Sequence, residues 1–268
     1  MRAGRNMTGR ILKARAVRDQ GATILSLLGF IVVWQMVAIA VNDTLILPSF
    51  LQVSNALLLS WQMILVEDLP TSLIHFVLGM TAGLIVALPV GMSMGWFKAF
   101  DQITDPIVEI VRPIPPLAWI PFAIVWFGLT NEAAGFIVFV GSVFPILINT
   151  YVGFRNLPKV YVESAKVLGA TKDVDLIRYI AFPNALPSIA GGVRIAIGIA
   201  WMCLVAAEMF GVSTSGLGYK IWSYYYLHKM DYVLLYMIVL GLLGLLIDRS
   251  FRYIVEERML KWRVGLTQ

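Results

Sequence analysis

The chain has 268 residues, 59% of them hydrophobic before its 22 glycines are counted, 14% charged, with a mean hydropathy of +0.80. Soluble domains hold roughly 45–50% apolar residues with glycine included and about 25% charged ones, so this composition excludes a water-faced particle and predicts a chain built for lipid. A single cysteine, Cys203, inside an apolar run excludes a disulfide framework and a cysteine-rich metal site. The net charge of +5 raises a nucleic-acid partner only if the basic residues cluster for one, and they lie instead at the ends of apolar segments.

The first such segment, Thr23 to Val41, runs 19 residues without a charge. At 1.5 Å per residue it reaches about 28 Å, enough to span. Six basic residues precede it and no small-residue cleavage site follows, which predicts a retained helix rather than a removed signal peptide. A second run, Ser72 to Met94, carries small residues at a spacing of four: Gly79, Gly83, Ala87, Gly91 and, just beyond, Gly95. Glycine costs about 1 kcal/mol in a helix interior, so a ladder of this kind predicts a face where another helix backbone comes close. The next segment, Ile107 to Leu129, holds Glu109, Arg112, Pro113, Pro115, Pro116 and Pro121. Ala133 to Tyr151, Ile195 to Phe210 and Tyr232 to Ile247 complete the set, and Gly192, Ala196 and Ala200 repeat the small-residue device.

Whether the proline-rich segment crosses is decided by the rule that lysine and arginine favour cytoplasmic loops. With six crossings, the inside holds six basic residues in the N-terminal arm, Lys98, five between Arg155 and Arg178, and five from Arg249 to Arg263, against Lys220 and Lys229 outside. Without that crossing the same loops divide into nine inside and ten outside. Six spans with both termini cytoplasmic are therefore expected, and nucleic-acid binding loses its support.

The connection after Tyr151 is too long for a simple turn and reads as two short helices. Pro158 suits a first helical turn, Leu157, Val160, Tyr161, Ala165 and Leu168 form an apolar stripe, and Lys159, Glu163 and Lys166 lie opposite. Gly169 stops this helix, Thr171 can cap the second, and Pro183 is expected to end it. Such a hairpin can rest on lipid headgroups or dock into a groove on a cytosolic subunit.

Prolines in hydrocarbon are tolerated where the freed carbonyls meet protein or water, so the third segment is expected to be broken and to face the interior. Arg112 either attracts an anion in a water-filled vestibule or snorkels to the cytosolic boundary and pairs with Glu109. Pro116 belongs to the same bend. Trp119 and Trp126 line the route or anchor at the interface. Glu208 reads as a structural partner of polar loop groups. The outer loop from Gly211 to Asp231, with Tyr224, Tyr225 and Tyr226, reads as an aromatic belt or as a surface for an external protein. The phosphate-cradling pattern G-x-x-x-x-G-K-[ST] is absent, as are H-E-x-x-H and a G-x-S-x-G elbow, so neither ATP hydrolysis nor other catalysis is expected of this chain.

Glu163-Ser164-Ala165, Gly169 followed by Ala170, and Ile180-Ala181-Phe182-Pro183 resemble the EAA loop of binding-protein-dependent ABC transporter permeases. Ser164 stands where the family has alanine, and the interval from Gly169 to Pro183 is one residue longer than usual. The run from Arg112 to Pro121, Gly192-Val193-Arg194-Ile195, Ala206-Ala207-Glu208 and Ser215-Gly216-Leu217-Gly218-Tyr219 look like the branch that imports nitrate, sulfonates, taurine or bicarbonate.

The resemblance covers about Asp68 to Arg252 and implies an all-α, six-helix type I importer permease. Residues 1–67 would form the cytosolic arm, first helix and external loop, residues 68–252 the permease core with coupling helices at 157–183, and residues 253–268 a cytosolic tail. It implies two ATPase subunits that carry ATP and magnesium, with no cofactor on this chain, a second permease copy, an external substrate-binding protein and a prokaryotic cell membrane. A small neutral or aromatic nutrient such as a vitamin precursor, or a non-transporting membrane scaffold, are the rival functions.

Overall fold

The computed structural model describes residues 25–259; the basic N-terminal arm and the end of the C-terminal tail lie outside the described residues. Those residues are helical: α1 (Leu25–Val41), α2 (Phe50–Met63), α3 (Leu69–Trp96), α4 (Lys98–Val111), α5 (Ile120–Phe127), α6 (Asn131–Arg155), α7 (Lys159–Val167), α8 (Asp173–Leu176), α9 (Phe182–Met209), α10 (Leu217–Tyr226) and α11 (Met230–Phe251). Four continuous helices are long and apolar enough to cross a membrane: Phe50–Trp96, Asn131–Arg155, Asp173–Met209 and Met230–Val255. The pair Lys98–Val111 and Pro116–Phe127 makes a fifth if it counts as one span, and Leu25–Val41 is a shorter apolar helix. Part of the segment expected as an external loop is thus the helix α2.

The described residues fall into two units. The smaller comprises residues 25–60 and 224–235, the larger residues 61–223 and 236–259. In the smaller unit Trp34 Nε1 donates to the Pro48 carbonyl at 3.0 Å and its ring meets Phe50 edge-on at 5.7 Å, while Tyr224 stacks on Tyr232 at 4.7 Å.

The larger unit is built around α6, which packs α3 on one side and α9 on the other. Small residues make both contacts close. A Cβ at Gly79 would run into the Gly135 carbonyl and Val138, one at Gly83 into Ser142, and one at Gly91 would sit 2.7 Å from the Leu147 carbonyl. On the other side Gly192 would meet Asn149 and, at 2.9 Å, the Pro145 carbonyl. Backbones this close replace a hydrophobic driving force, which lipid does not supply, with dispersion and packing. Between them lie Phe76, Met80, Val138, Ile146, Ala196 and Leu204. Outward-facing apolar residues such as Met202, Leu242 and Leu246 stay exposed, as a lipid-facing surface requires.

Expectations in two segments are corrected. Pro183 does not end the second short helix: Asp173–Met209 is one helix of 37 residues, with Pro183 in its course. The π turn Ile177–Ala181 explains this, because it passes carbonyls to the amide five residues on (Phe182 N to the Ile177 carbonyl) and so carries the chain past a residue that lacks an N–H. The same arrangement recurs at the π turn Ile64–Asp68 ahead of Pro70. The helix is also not capped by Thr171; Lys172 occupies the N-cap and makes no side-chain cap bond.

The second correction concerns the proline-rich segment. It is broken, with an 87° bend between α4 and the helix beginning at Pro116, but it is only partly interior. Ile120 and Ala123 of α5 are buried against Ala133, Ala134 and Ile137, whereas α4 buries no residue and Phe122, Val125 and Trp126 remain exposed.

Candidate functional site

Three places carry polar groups that the fold has gone to some length to position. The first is a cavity of about 370 Å³ at the bend, lined by Arg112, Pro116, Gly141, Pro145, Asn149, Ile195 and neighbouring apolar side chains. Its position along the bundle follows from α4. Asp101, in the first turn of α4, receives Arg155 Nη1 at 2.7 Å at the C-terminal end of α6. Arg112 lies eleven residues further on, about 16 Å of helix away from that end.

Asn149 is fixed by its Nδ2 donating to the Pro145 carbonyl at 2.8 Å, and Pro145 in turn has no amide to offer the carbonyl of Gly141 one turn earlier. A guanidinium, a side-chain amide and a freed carbonyl therefore share an otherwise apolar chamber. Among the described residues Arg112 has no ion pair, and Glu109 does not reach it.

Of the residues expected along the route, Arg112 and Pro116 meet in this cavity. Trp119 and Trp126 do not line it. They form an aromatic cluster with Phe122 and Phe136, at ring separations of 5.5 to 6.4 Å. Asn149 was not singled out by the sequence, although its position one turn from Pro145 and facing the Gly192 ladder was a usable signal.

The second place is the hairpin. α7 ends where Gly169 takes φ +98°, a left-handed conformation that suits a residue without Cβ. Ala170 N then donates to the Ala165 carbonyl at 3.0 Å and closes the turn. Ala165 is buried, while Glu163 and Ser164 are exposed. The expected apolar stripe is not an inward one: Val160, Tyr161 and Leu168 are exposed, and Val167 and Leu168 are each 88% accessible. The hairpin presents apolar side chains beside Lys159, Glu163 and Lys166, a mixed surface suited to docking. Phe154, Ala181, Ala185 and Ile189 form the small core beneath it.

The third place is a buried cluster around Glu208, at the opposite end of α9 from α8. Glu208 Oε1 accepts from Ser72 Oγ and lies against His75 Nδ1, both at 2.8 Å, and Oε2 accepts from Gly218 N at 2.8 Å. His75 Nε2 is 2.8 Å from Asn131 Oδ1, and Leu217 N donates to Ser72 Oγ at 2.9 Å. Ser72, His75 and Glu208 are inaccessible to solvent. The partners of Glu208 on α3 were missed by sequence, yet Ser72 and His75 continue the helical face that Gly79 begins.

The family described as binding-protein-dependent transport system inner membrane component matches residues 79–260. A Methanocaldococcus jannaschii protein named as an ABC transporter permease is 42% identical over 238 residues, covering 87% of this chain and 88% of its own. The bicarbonate transport system permease protein CmpB of Synechocystis sp. is 34% identical, with 86% of each chain covered. The nitrate import permease protein NrtB of the same genus is 35% identical over 68% of this chain and 66% of its own. Among solved structures, a chain of the MetNI methionine ABC transporter in an inward-facing conformation shares the fold, with a TM-score of 0.53 at 24% identity, over 71% of this chain and 96% of that one. The close-packed helical core, the broken proline-rich segment and the exposed hairpin are thus those of a transport protein, and the chain belongs to the inner-membrane components of binding-protein-dependent transport systems, the ABC transporter permeases.

Proposed function

We propose that this permease forms the membrane pathway of an ATP-driven importer for a small oxyanion of the nitrate, bicarbonate, sulfonate or taurine class. The observation that carries the reading is Arg112, without an ion-pair partner among the described residues and facing a cavity with Asn149 about three helical turns in from the Asp101–Arg155 contact. An arginine at that depth in hydrocarbon is costly unless it meets water or an anion, so it marks a route for negative charge. Similarity to bicarbonate and nitrate permeases supports the same class.

In this reading Leu25–Val41, the bent pair and the four long helices make six crossings, with both termini in the cytoplasm of a prokaryotic cell. Two copies of the chain enclose the pathway. ATP and magnesium are handled by two separate subunits docked on α7 and α8 through Glu163, Ser164, Ala165, Gly169 and Ala170, and Pro183 lies in the helix that leaves that site. The loop and helix α10 receive an external binding protein. Closure of the ATPase pair displaces the hairpin, and because Asp173–Met209 is one helix of about 55 Å, that displacement enters the membrane directly.

The mostly apolar lining of the cavity supports a second reading, import of a small neutral or aromatic nutrient. One experiment separates the two: ligand-stimulated ATPase activity of the reconstituted complex with nitrate, bicarbonate, taurine, other sulfonates and a vitamin precursor. Stimulation by an oxyanion that disappears in Arg112→Ala supports the first reading. Silence for every oxyanion overturns it.

A further inference from the structure

The geometry points to Glu208 as a positioning residue that fastens the outer loop, residues 211–218, to the bundle driven by the docking hairpin, so that hairpin movement is delivered to that loop. This rests on the proposed docking of an ATPase at α7 and α8. The long helix Asp173–Met209 begins at the hairpin and carries Glu208 in its last turn, so one rigid element joins the two ends. The α3, α6 and α9 helices are locked together by glycine contacts too close to slide, and close-packed elements of this kind move as a body. The loop lies beyond the end of α9; besides the backbone bonds that close that helix, Gly211 N to the Glu208 carbonyl and Val212 N to the Ala207 carbonyl, its polar attachment to the bundle among the described residues is the Glu208 cluster.

That attachment is specific in its chemistry. The carboxylate takes the Gly218 amide at the start of α10, and Ser72, itself bonded to the carboxylate, takes the Leu217 amide. Two of the unpaired donors at a helix start are thereby satisfied, one by the Glu208 carboxylate and one by the Ser72 hydroxyl that the carboxylate holds in place. Glycine is needed for the approach: at Gly216, whose φ is +123°, a Cβ would lie 2.5 Å from the Glu208 carboxyl carbon, and at Gly218 it would lie 2.6 Å from the Val205 carbonyl. His75 extends the contact to Asn131 at the first residue of α6. An apolar residue would fill this space at lower desolvation cost, so the buried carboxyl group is kept for the hydrogen-bond geometry it imposes. Val212 and Leu217 are also fully buried, which leaves the loop an apolar anchor when the carboxyl group is removed.

The test uses the complete complex in nanodiscs, with Thr214, exposed on the loop, replaced by cysteine in a Cys203→Ser background, and a soluble maleimide as the probe. With Glu208 intact, the labelling rate differs between the nucleotide-free complex and the complex trapped with ATP and vanadate. Glu208→Gln, which keeps one acceptor oxygen and puts an amide donor where the other accepted, so that either the Gly218 amide or the Ser72–His75 side loses its acceptor, raises nucleotide-free labelling about tenfold and abolishes the nucleotide dependence, while the ATPase still co-purifies. Ser72→Ala, which removes the bridge to the Leu217 amide, gives the same pattern and serves if Glu208→Gln does not assemble. A nucleotide response in these variants equal to that of the parent overturns the inference, as does a parent that binds the ATPase but shows no response at position 214. Failure of the parent chain to co-purify with an ATPase instead removes the docking reading, and this inference with it.

Discussion

Tyr236 donates its hydroxyl hydrogen to Asp68 Oδ2 at 2.6 Å, and both side chains are buried, 1% accessible or less. Among the described residues the other carboxylate oxygen has no hydrogen-bond partner, and it faces Lys220 Nζ at 3.9 Å. Asp68 sits in the π turn that leads into α3, and Tyr236 lies on α11, so one bond ties the last long helix to the start of the small-residue face. Removing the hydroxyl with Tyr236→Phe leaves a buried carboxylate supported by Lys220 alone. The expected loss is about 2 kcal/mol of stability. Thermal unfolding in nanodiscs measures it, and Asp68→Asn in the Tyr236→Phe background should restore part of the loss by removing the charge.

The helix glycines make a sharper prediction because they differ in surroundings. Gly91→Val drives its side chain against the Leu147 carbonyl and the Thr150 Cβ and must part α3 from α6, so folded protein is lost from the membrane fraction. Gly198, on the same helix as Gly192, has open space on the side where a Cβ would stand, with nothing within 4 Å. Gly198→Ala should be neutral or raise stability by about 0.5–1 kcal/mol. Equal tolerance at the two positions, read by size-exclusion profile and melting temperature, runs against the close-packing argument.

Much of this architecture was legible because lipid simplifies the code. Small residues at every fourth position announced the α3 face, and four prolines after Arg112 announced a broken helix. Pro183 misled because the rule that proline stops a helix is local, and the π turn that relieves it is built by Ile177–Ala181, whose side chains show no such signal. The Glu208 cluster was half legible: an acid near a span end called for a polar partner, but Ser72 and His75 lie more than 130 positions away in sequence. The cavity pairing of Arg112 with Asn149 depends on the bend angle, and prolines fix where a helix breaks without fixing its direction.

Asn149 provides a test of the cavity that leaves Arg112 in place. Asn149→Ala deletes the amide but keeps room for Gly192 to pack, so the helices stay together. With an anion crossing beside Arg112, loss of one hydrogen-bonding group should lower the transport rate about tenfold, with little change in basal ATPase activity. Uptake of labelled nitrate or bicarbonate by proteoliposomes, beside nucleotide turnover, makes the comparison. Unchanged uptake places the route elsewhere.

Gly169 tests the hairpin through backbone geometry alone. Its φ of +98° is open to glycine and strained for any L-residue, although no neighbouring atom blocks a side chain there. Gly169→Ala should therefore cost about 1 kcal/mol and leave a weakened but working hairpin. Gly169→Pro is different in kind. Proline fixes φ near −65°, and it removes the amide that donates to the Lys166 carbonyl at 3.0 Å, so α7 can no longer turn into α8. Neither change touches the α3–α6–α9 packing, and both proteins should reach the membrane in normal amount. If the hairpin is the docking site, Gly169→Pro loses the ATPase on purification and loses uptake, and Glu163→Arg, exposed on α7, does the same by reversing a charge. Normal co-purification and uptake in both removes the docking role, because the hairpin would then have been rebuilt at its turn and recharged on its face without consequence.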